Sequence, residues 1–348
     1  MGADARAVSA PSLLRRLATH SLFPSVLALL ALLLVGAATS PGFLRIGWQD
    51  GHLTGSLVDI LNRAAPLMLV SLGMLMVIAI RGIDISVGAV VAITAAVAAT
   101  LLPQAGDQGV TMLFAAIGAG LLAGALCGAW NGLLVVRMGM QPIVATLILM
   151  IAGRGIAQLI TSGQIITIYY PPYFQLGNGF LLGIPFALVL ALAVAGGLHL
   201  ALTRTALGLF VRSIGLNPVA ARVAGVRARA IAFWMYVFSG IAAGLAGLII
   251  SSNVKSADGN NAGQLLELDA ILAVALGGTT LAGGRFTVAG TLLGALIIQA
   301  LTSVIYASGV PPQANLAVKA VLVFAVMLLQ SAEFRGSVRG LLFRQEAR

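Results

Sequence analysis

Residues 57–80 read LVDILNRAAPLMLVSLGMLMVIAI, and this stretch decides the class of fold. An α-helix needs roughly 20 predominantly apolar residues to cross the hydrocarbon core of a bilayer, and this stretch is long and apolar enough to do so. Near its start, Asp59 and Arg63 stand four residues apart, so they could pair on one face of a helix. Pro66 follows them and predicts a kink. We therefore interpret 57–80 as a membrane-spanning helix.

The composition of the whole chain supports the same class. Of its 348 residues, 59% are hydrophobic and only 9% are charged, and the mean hydropathy is +1.04. A soluble domain carries about 25% charged residues. Because 9% charged residues cannot cover a water-facing surface, lipid must be one of the solvents. The sequence predicts an all-α polytopic membrane protein, with no metal site because its three histidines and single cysteine, Cys127, are scattered.

Apolar stretches of spanning length recur along the chain. Two of them are weak: one closely follows the Gly82–Gly88 break, and another carries Glu267 and Asp269 at its start and glycines at its end. Either could be a broken or re-entrant helix, which requires protein or water to cover the free backbone groups. The sequence predicts about ten spans, at 22–40, 57–80, 84–103, 111–136, 142–162, 180–202, 230–251, 265–282, 287–308 and 314–332.

The distribution of positive charge orients these spans. If the N-terminus is cytoplasmic and every segment crosses, most Lys and Arg residues fall in cytoplasmic stretches, and only Arg45 and Lys255 fall outside. Cytoplasmic loops of membrane proteins carry this excess. We therefore expect both termini inside, with a cytoplasmic segment at 1–21, a transmembrane domain at 22–332 and a cytoplasmic tail at 333–348. The same loops account for the net charge of +10, so we predict no nucleic-acid partner.

Polar side chains at membrane depth mark either helix packing or a solute pathway. Four of them are our candidates for a pathway that a hydroxylated solute could follow: Asn62, Asn131, Arg154 and Gln158. Interhelical hydrogen bonding is the alternative for each. Few acids lie at this depth, which disfavours an ion-coupled secondary carrier without excluding it. An intramembrane enzyme is disfavoured because no catalytic set of side chains stands out.

The longest predicted cytoplasmic connection, 203–229, contains a short helix-forming stretch. Asn217 is suited to the N-cap, Pro218 to the first helical position and Gly225 to the C-terminal stop. We predict a coupling helix at about 215–225 that docks on a motor subunit, the alternative being a plain surface turn. The residues assigned to this coupling are Gly215, Asn217, Ala220, Ala221, Ala224 and Gly225.

The chain carries no motif for hydrolysing ATP. A phosphate-binding loop needs a lysine that follows glycine. The only two lysines, Lys255 and Lys319, both follow valine. We therefore expect no bound cofactor and no enzymatic activity in this chain, and any ATP hydrolysis must come from another polypeptide.

The stretch Gly82-Ile83-Asp84-Ile85-Ser86-Val87-Gly88 resembles the signature of ABC importer permeases of the ribose/xylose/galactose class, with Gly82, Asp84, Ser86 and Gly88 as signature residues. The loop from Ala220 to Gly225 resembles that family's ATPase-docking loop, with Val219 where the family normally has Glu. The segments 59–66, 152–161 and 260–270 are most similar to permeases of galactofuranose importers.

The resemblance implies partners that the chain itself cannot reveal. A permease of this class works in the bacterial inner membrane and moves a monosaccharide, here galactofuranose or a related pentose or hexose. It assembles with an ATPase subunit that binds ATP and Mg²⁺, with a second permease subunit (a paralogue or another copy), and with a periplasmic sugar-binding protein. We expect the same partners here.

Overall fold

The computed structural model describes residues 22–49, 51–102 and 110–330. The predicted cytoplasmic segment 1–21 and the predicted tail 333–348 lie outside the described residues. The described chain is predominantly helical. Its helices are α1 (Phe23–Thr39), α2 (Ser56–Ala79), α3 (Val87–Leu101), α4 (Val110–Gly132, continued by a π-helical turn, Leu133–Arg137), α5 (Pro142–Ile160), α6 (Pro171–Asn178), α7 (Phe186–Arg204), α8 (Leu207–Leu216), α9 (Pro218–Val223), α10 (Ala228–Val254), α11 (Leu266–Leu276), α12 (Val288–Ala307) and α13 (Pro312–Gln330).

A helix lies in each of the ten predicted spans, but the helices differ in length. Among the described residues, six are long and apolar enough to cross a membrane: α2, α4 with its π-helical turn, α5, α7, α10 and α12. Helices α1 and α3 are apolar but shorter, as is the apolar part of α13. The number of complete crossings and the cytoplasmic position of both termini therefore stay predictions.

The two spans with weak sequence signals are the ones that the structure interrupts. Helix α3 begins only at Val87, after a non-helical loop. Helix α11 has 11 residues, which at 1.5 Å per residue is about half the thickness of a hydrocarbon core. Of the alternatives that the sequence left open for 265–282, the structure therefore has the broken helix and not one continuous span. The chain approaches α11 as a loop and leaves it at Gly277, because Gly278, Gly283 and Gly284 adopt positive φ angles that no continuing helix allows.

Short strands connect the helices at one end of the molecule. Each pair is antiparallel, and together they are β1 (Gly47–Gln49) with β2 (His52–Thr54), β3 (Ile166–Thr167) with β6 (Ser256–Ala257), and β4 (Phe180–Leu181) with β5 (Ile184–Pro185). The β1–β2 and β3–β6 pairs lie in connections that the charge distribution places outside the cell. The β4–β5 pair occupies the outer end of the predicted span 180–202, so helix α7 begins later than predicted. The β3–β6 pair ties the segment after α5 to the segment before α11.

Helices α2 and α10 form the centre of the molecule. Most of α2 is buried, and it packs against α7, α10, α11 and α12. Helix α10 packs against α4 through small residues, because a Cβ atom at Gly124 would collide with the carbonyl of Gly240, and one at Gly128 with that of Tyr236. Glycines spaced four apart allow helix backbones to approach this closely. The centre is therefore held by close backbone contact as well as by apolar side chains.

Candidate functional site

A buried polar cluster centres on Asp84, in the loop between α2 and α3. Asp84 is 1% exposed. Its Oδ1 accepts hydrogen bonds from the backbone N–H of Ser86 at 3.1 Å, the Ser86 hydroxyl at 2.6 Å and Asn131 Nδ2 at 3.3 Å. Its Oδ2 accepts one from the hydroxyl of Ser239 at 2.9 Å. Because Asn131 lies on α4 and Ser239 on α10, the cluster ties the signature loop to both helices.

The backbone of the same loop is held from the other side. The amide of Ile85 donates to the hydroxyl of Thr146 on α5 at 3.2 Å. A Cβ atom at Gly82 would come too close to the Tyr236 hydroxyl and the Val77 side chain. The signature residues Gly82, Asp84 and Ser86 thus fix a non-helical loop between three helices, which explains why small and hydrogen-bonding residues occur there.

The fourth signature residue, Gly88, lies against the loop that leads into α11. A Cβ atom at Gly88 would collide with the carboxylate of Glu267 and the carbonyl of Gly263. Arg154 on α5 donates to the carbonyl oxygens of Asn260 at 3.3 Å and Ala262 at 2.5 Å. The start of α11 is therefore packed between α3 and α5.

The turn in this loop is stabilised by Asp258. Its Oδ1 accepts from the backbone N–H of Asn260 at 2.8 Å and of Asn261 at 3.2 Å, and its Oδ2 from Asn261 Nδ2 at 2.7 Å. Partial burial of Asp258 raises its pKa, but these hydrogen bonds and the positive charge of Arg154 lower it more. The pKa therefore lies below its ordinary value, and the carboxylate stays ionised and holds the turn at neutral pH.

The structure brings together only two of the four predicted pathway residues. Arg154 and Gln158 both lie beside the loop, because Gly259 packs on the backbone of Ala157 and Gln158. Asn131 is fully buried in the Asp84 cluster. Asn62 donates to the carbonyl of Gly177 at 3.1 Å, which joins α2 to α6. Asn131 and Asn62 thus make interhelical hydrogen bonds, the alternative that the sequence left open.

Asp59 and Arg63, whose spacing allowed an ion pair, do not form one among the described residues. Among the described residues, the salt bridge that forms is between Lys319 on α13 and Asp269 on α11, with Nζ and Oδ2 2.6 Å apart. Their side chains are 13% and 22% exposed. The sequence alone does not predict this pair, because the two residues are 50 positions apart along the chain.

The cap predicted for the coupling helix is confirmed. The side-chain oxygen of Asn217 accepts hydrogen bonds from the backbone N–H groups of Val219 and Ala220, both at 3.0 Å. Pro218 is the first helical residue, and Gly225 adopts a φ of 84°. The helix is shorter than predicted: α9 covers 218–223 only, because Gly215 belongs to the preceding helix α8.

Two of the predicted coupling residues face the body of the protein. Ala221 is 4% exposed and packs with Ile214 and Ala228. Gly215 is buried against the end of α2, where a Cβ atom would collide with the carbonyl of Ala79. Both are therefore unsuited to direct contact with a partner.

Apolar side chains make up most of the solvent-facing side of α9, where Arg222 is also exposed. Val219 is 59% and Val223 is 86% exposed, and Ala220 is exposed beside them. We call these three residues the α9 outer face. Ala224, also exposed, follows directly. A helix this short with apolar residues turned to solvent is typical of a surface that a partner covers.

A junction joins the end of α8 to the start of the signature loop. Arg81, which directly precedes Gly82, donates through Nε to the carbonyl of Gly215 at 2.6 Å and through a terminal nitrogen to that of Leu216 at 2.5 Å. The amide of Gly284 donates to the carbonyl of Ala79 at 3.0 Å. A displacement of α8 and α9 therefore reaches α2, the signature loop and the segment after α11 through direct contacts.

Comparisons with known proteins agree with this architecture. The model of the family described as branched-chain amino acid transport system, permease component, matches residues 56–329. Over 93% of both chains, the protein is 47% identical to the galactofuranose transporter permease of Escherichia coli strain K12. It is 36% identical to the fructose import permease of Bifidobacterium longum strain NCC 2705, over 91% of this chain and 89% of the relative. It is 34% identical to the ribose import permease of E. coli strain K12, over 88% of this chain and 92% of the relative. No solved structure matches the chain.

Proposed function

This chain belongs to the family of permease components of branched-chain amino acid transport systems, and we propose that it is the membrane-spanning permease subunit of an ATP-driven monosaccharide importer in the bacterial inner membrane. The observation that carries the proposal is similarity to sugar permeases along nearly the whole chain. Relatives named for galactofuranose, fructose and ribose import each match about nine-tenths of it.

The substrate that we propose is galactofuranose or a closely related sugar. The galactofuranose permease is 47% identical to this chain, against 36% and 34% for the fructose and ribose permeases. The three stretches that resemble galactofuranose permeases include Asp59, Arg154 and Asn260. In the structure, two of these stretches meet where Arg154 donates to the carbonyl of Asn260.

The motor in this proposal is a separate ATPase subunit that binds ATP and Mg²⁺ and docks on the α9 outer face. Exposed Val219, Ala220 and Val223 give it an apolar contact surface, and the Asn217 cap keeps the short helix folded. The other partners are a second permease subunit, either a paralogue or a second copy, and a periplasmic sugar-binding protein.

The contacts of the chain support an alternating-access mechanism. Movement of the ATPase shifts α8 and α9, and Arg81 carries this shift to the end of α2 and the signature loop. Gly88, at the end of the signature stretch, packs against the loop before α11. Arg154 on α5 holds the same loop by a hydrogen bond to the carbonyl of Ala262. A displacement of α8 and α9 can thus loosen the loop at 258–265, which the charge distribution assigns to the opposite side of the membrane from the ATPase.

Substrate choice is tested by uptake in cells that lack endogenous sugar importers. The chain is produced together with its ATPase, second permease and binding protein, and uptake of radiolabelled galactose, which contains furanose forms at equilibrium, is measured. We expect unlabelled galactofuranosides to compete with this uptake more strongly than ribose or fructose. Stronger competition by ribose or fructose would reassign the substrate.

A further inference from the structure

A polar cavity of ≈ 390 Å³ opens among α1, α2 and α12. Asp59 and Arg63 line it from the first turns of α2, and Gln299, Thr302 and Ser303 line it from α12. Its volume is within the range of small-molecule sites in proteins, roughly 300–1,000 Å³. Gln299 lies about two turns inside the end of α12 at Ala307, so the cavity reaches some 12 Å below the outer end of that helix.

Four of the polar side chains that line this cavity are available for a ligand. Within the described residues, the side chains of Asp59, Arg63, Gln299 and Ser303 make no hydrogen bond or salt bridge. Asp59 and Arg63 do not pair, although they are four residues apart on one helix. Asp59 and Arg63 are exposed, and Gln299 and Ser303 are half-buried. Polar groups at membrane depth are costly unless they are paired or face a water-filled space, so Gln299 and Ser303 need water or an occupant.

The set of groups fits a saccharide better than it fits an ion or an apolar molecule. A carboxylate accepts hydrogen bonds, a guanidinium donates them, and an amide and a hydroxyl do both. A sugar presents many hydroxyl groups that need both kinds of partner. The ring of Phe43 and the side chain of Ile60 add an apolar wall for the carbon face of a sugar.

We propose that this cavity is an outer vestibule that holds the monosaccharide as it enters the permease, with Asp59, Arg63, Gln299 and Ser303 as its hydrogen-bonding groups. The assignment rests on the proposed function, because it presumes that a sugar is the transported solute. It differs from the pathway predicted from the sequence, since none of Asn62, Asn131, Arg154 and Gln158 lines the cavity.

Thiol labelling tests the assignment directly. In a full-length Cys127→Ala background, Ser303→Cys places a single thiol in the cavity, and Ser308→Cys places one near the end of the same helix outside it. The purified chain in lipid nanodiscs is treated with a charged thiol reagent, in the presence of galactose or of glycerol at equal concentration. We expect galactose to slow labelling of Ser303→Cys several-fold and to leave Ser308→Cys unchanged, because only the first thiol is shielded.

A second substitution tests the hydrogen bonding. Asp59→Asn, added to Ser303→Cys, should remove most of the protection, since one acceptor becomes a donor. Provided that the complete importer transports galactose, two results would overturn the vestibule. One is labelling of Ser303→Cys at the same rate with and without galactose, and the other is equal protection of the Ser303→Cys and Ser308→Cys thiols. Failure of the complete importer to transport any saccharide would instead overturn the proposed function.

Discussion

Asp84 is the residue on which the hydrogen bonds of the signature loop converge. In Asp84→Ala, the hydroxyls of Ser86 and Ser239 lose their acceptor inside the protein, and Asn131 keeps only its hydrogen bond to the Ser86 hydroxyl. Each buried group left without a partner costs about 1–3 kcal/mol. We therefore expect a large fall in the thermal unfolding midpoint of the purified chain in detergent, and a smaller fall, of about 1 kcal/mol in stability, for Ser239→Ala.

The control for Asp84 is Ser308→Ala, because the hydroxyl of Ser308 donates only to the Val304 carbonyl of its own helix. This variant should unfold close to the wild-type temperature. If Asp84→Ala were as stable as Ser308→Ala, the cluster would contribute nothing to the fold.

Gly215 tests the junction between α8 and α2. A Cβ atom at this residue would collide with the carbonyl of Ala79 and the amide of Gly284, which are backbone atoms that cannot move aside. We expect Gly215→Ala to lower stability by about 1–3 kcal/mol, as overpacking does. Gly196→Ala on α7 meets open space, so it should be neutral or slightly stabilising. Equal thermal midpoints for the two variants would contradict the tight junction.

Whether the contacts of a single side chain could be predicted depends on how far apart the two contacting residues are along the chain. The Asn217 cap acts on residues two and three positions later, so sequence alone was enough to find it. Asp84 is bound by Asn131 and Ser239, which come from distant helices. The polarity of Asn131 alone allowed either a pathway or packing, and nothing in the sequence singled out Ser239. Ala221 was assigned to docking because it is small, but its place on α9 turns it inward.

At the scale of elements, the α9 outer face should connect the chain to its motor. Val223 is 86% exposed, so Val223→Asp should not disturb folding, but it places a charge in an apolar interface. We expect sugar uptake by the complete importer to fall on the order of tenfold or more, with unchanged amounts of the chain in the membrane. Co-purification of the ATPase should fall in parallel.

Leu182→Asp is the matched control, because Leu182 is 92% exposed in the turn between β4 and β5, away from α9. The ATPase should co-purify with the Leu182→Asp chain as it does with the wild-type chain. Normal ATPase binding by Val223→Asp would remove the docking role of α9.

The ion pair between Asp269 and Lys319 should stabilise the contact between α11 and α13. Lys319→Met leaves a carboxylate without its partner in a largely buried position, and removal of one partner of a buried pair is strongly destabilising. We expect the double variant Asp269→Asn/Lys319→Met to recover much of the lost thermal stability. A double-mutant cycle measures this coupling, and additive losses would contradict it.

Hydropathy was enough to find the helices but not to decide which of them cross the membrane. Length and apolar character predicted long helices such as α2 and α10. The interruptions before α3 and after α11 depend on contacts between distant segments, such as Gly88 with Glu267. Glycines and acids weakened the hydropathy signal there, and the sequence could say only that a break was one alternative.

As a whole molecule, the chain is a helical permease of the matched family, with six helices among the described residues long and apolar enough to cross a membrane. The membrane class followed from composition, since 9% charged residues cannot cover a water-soluble surface. The family followed from a few short motifs and is shown by the match over 56–329. The polar cavity beside Asp59 was not predicted, because its other wall comes from α12 at the far end of the chain.

Dependence of transport on a separate motor is measured as uptake of a radiolabelled monosaccharide into proteoliposomes that contain this chain with or without its ATPase. The second permease and the binding protein are present in both preparations. We predict uptake that requires both the ATPase and ATP, and no uptake above background without them. Sugar accumulation by the chain without an ATPase, driven by an ion gradient, would contradict the account.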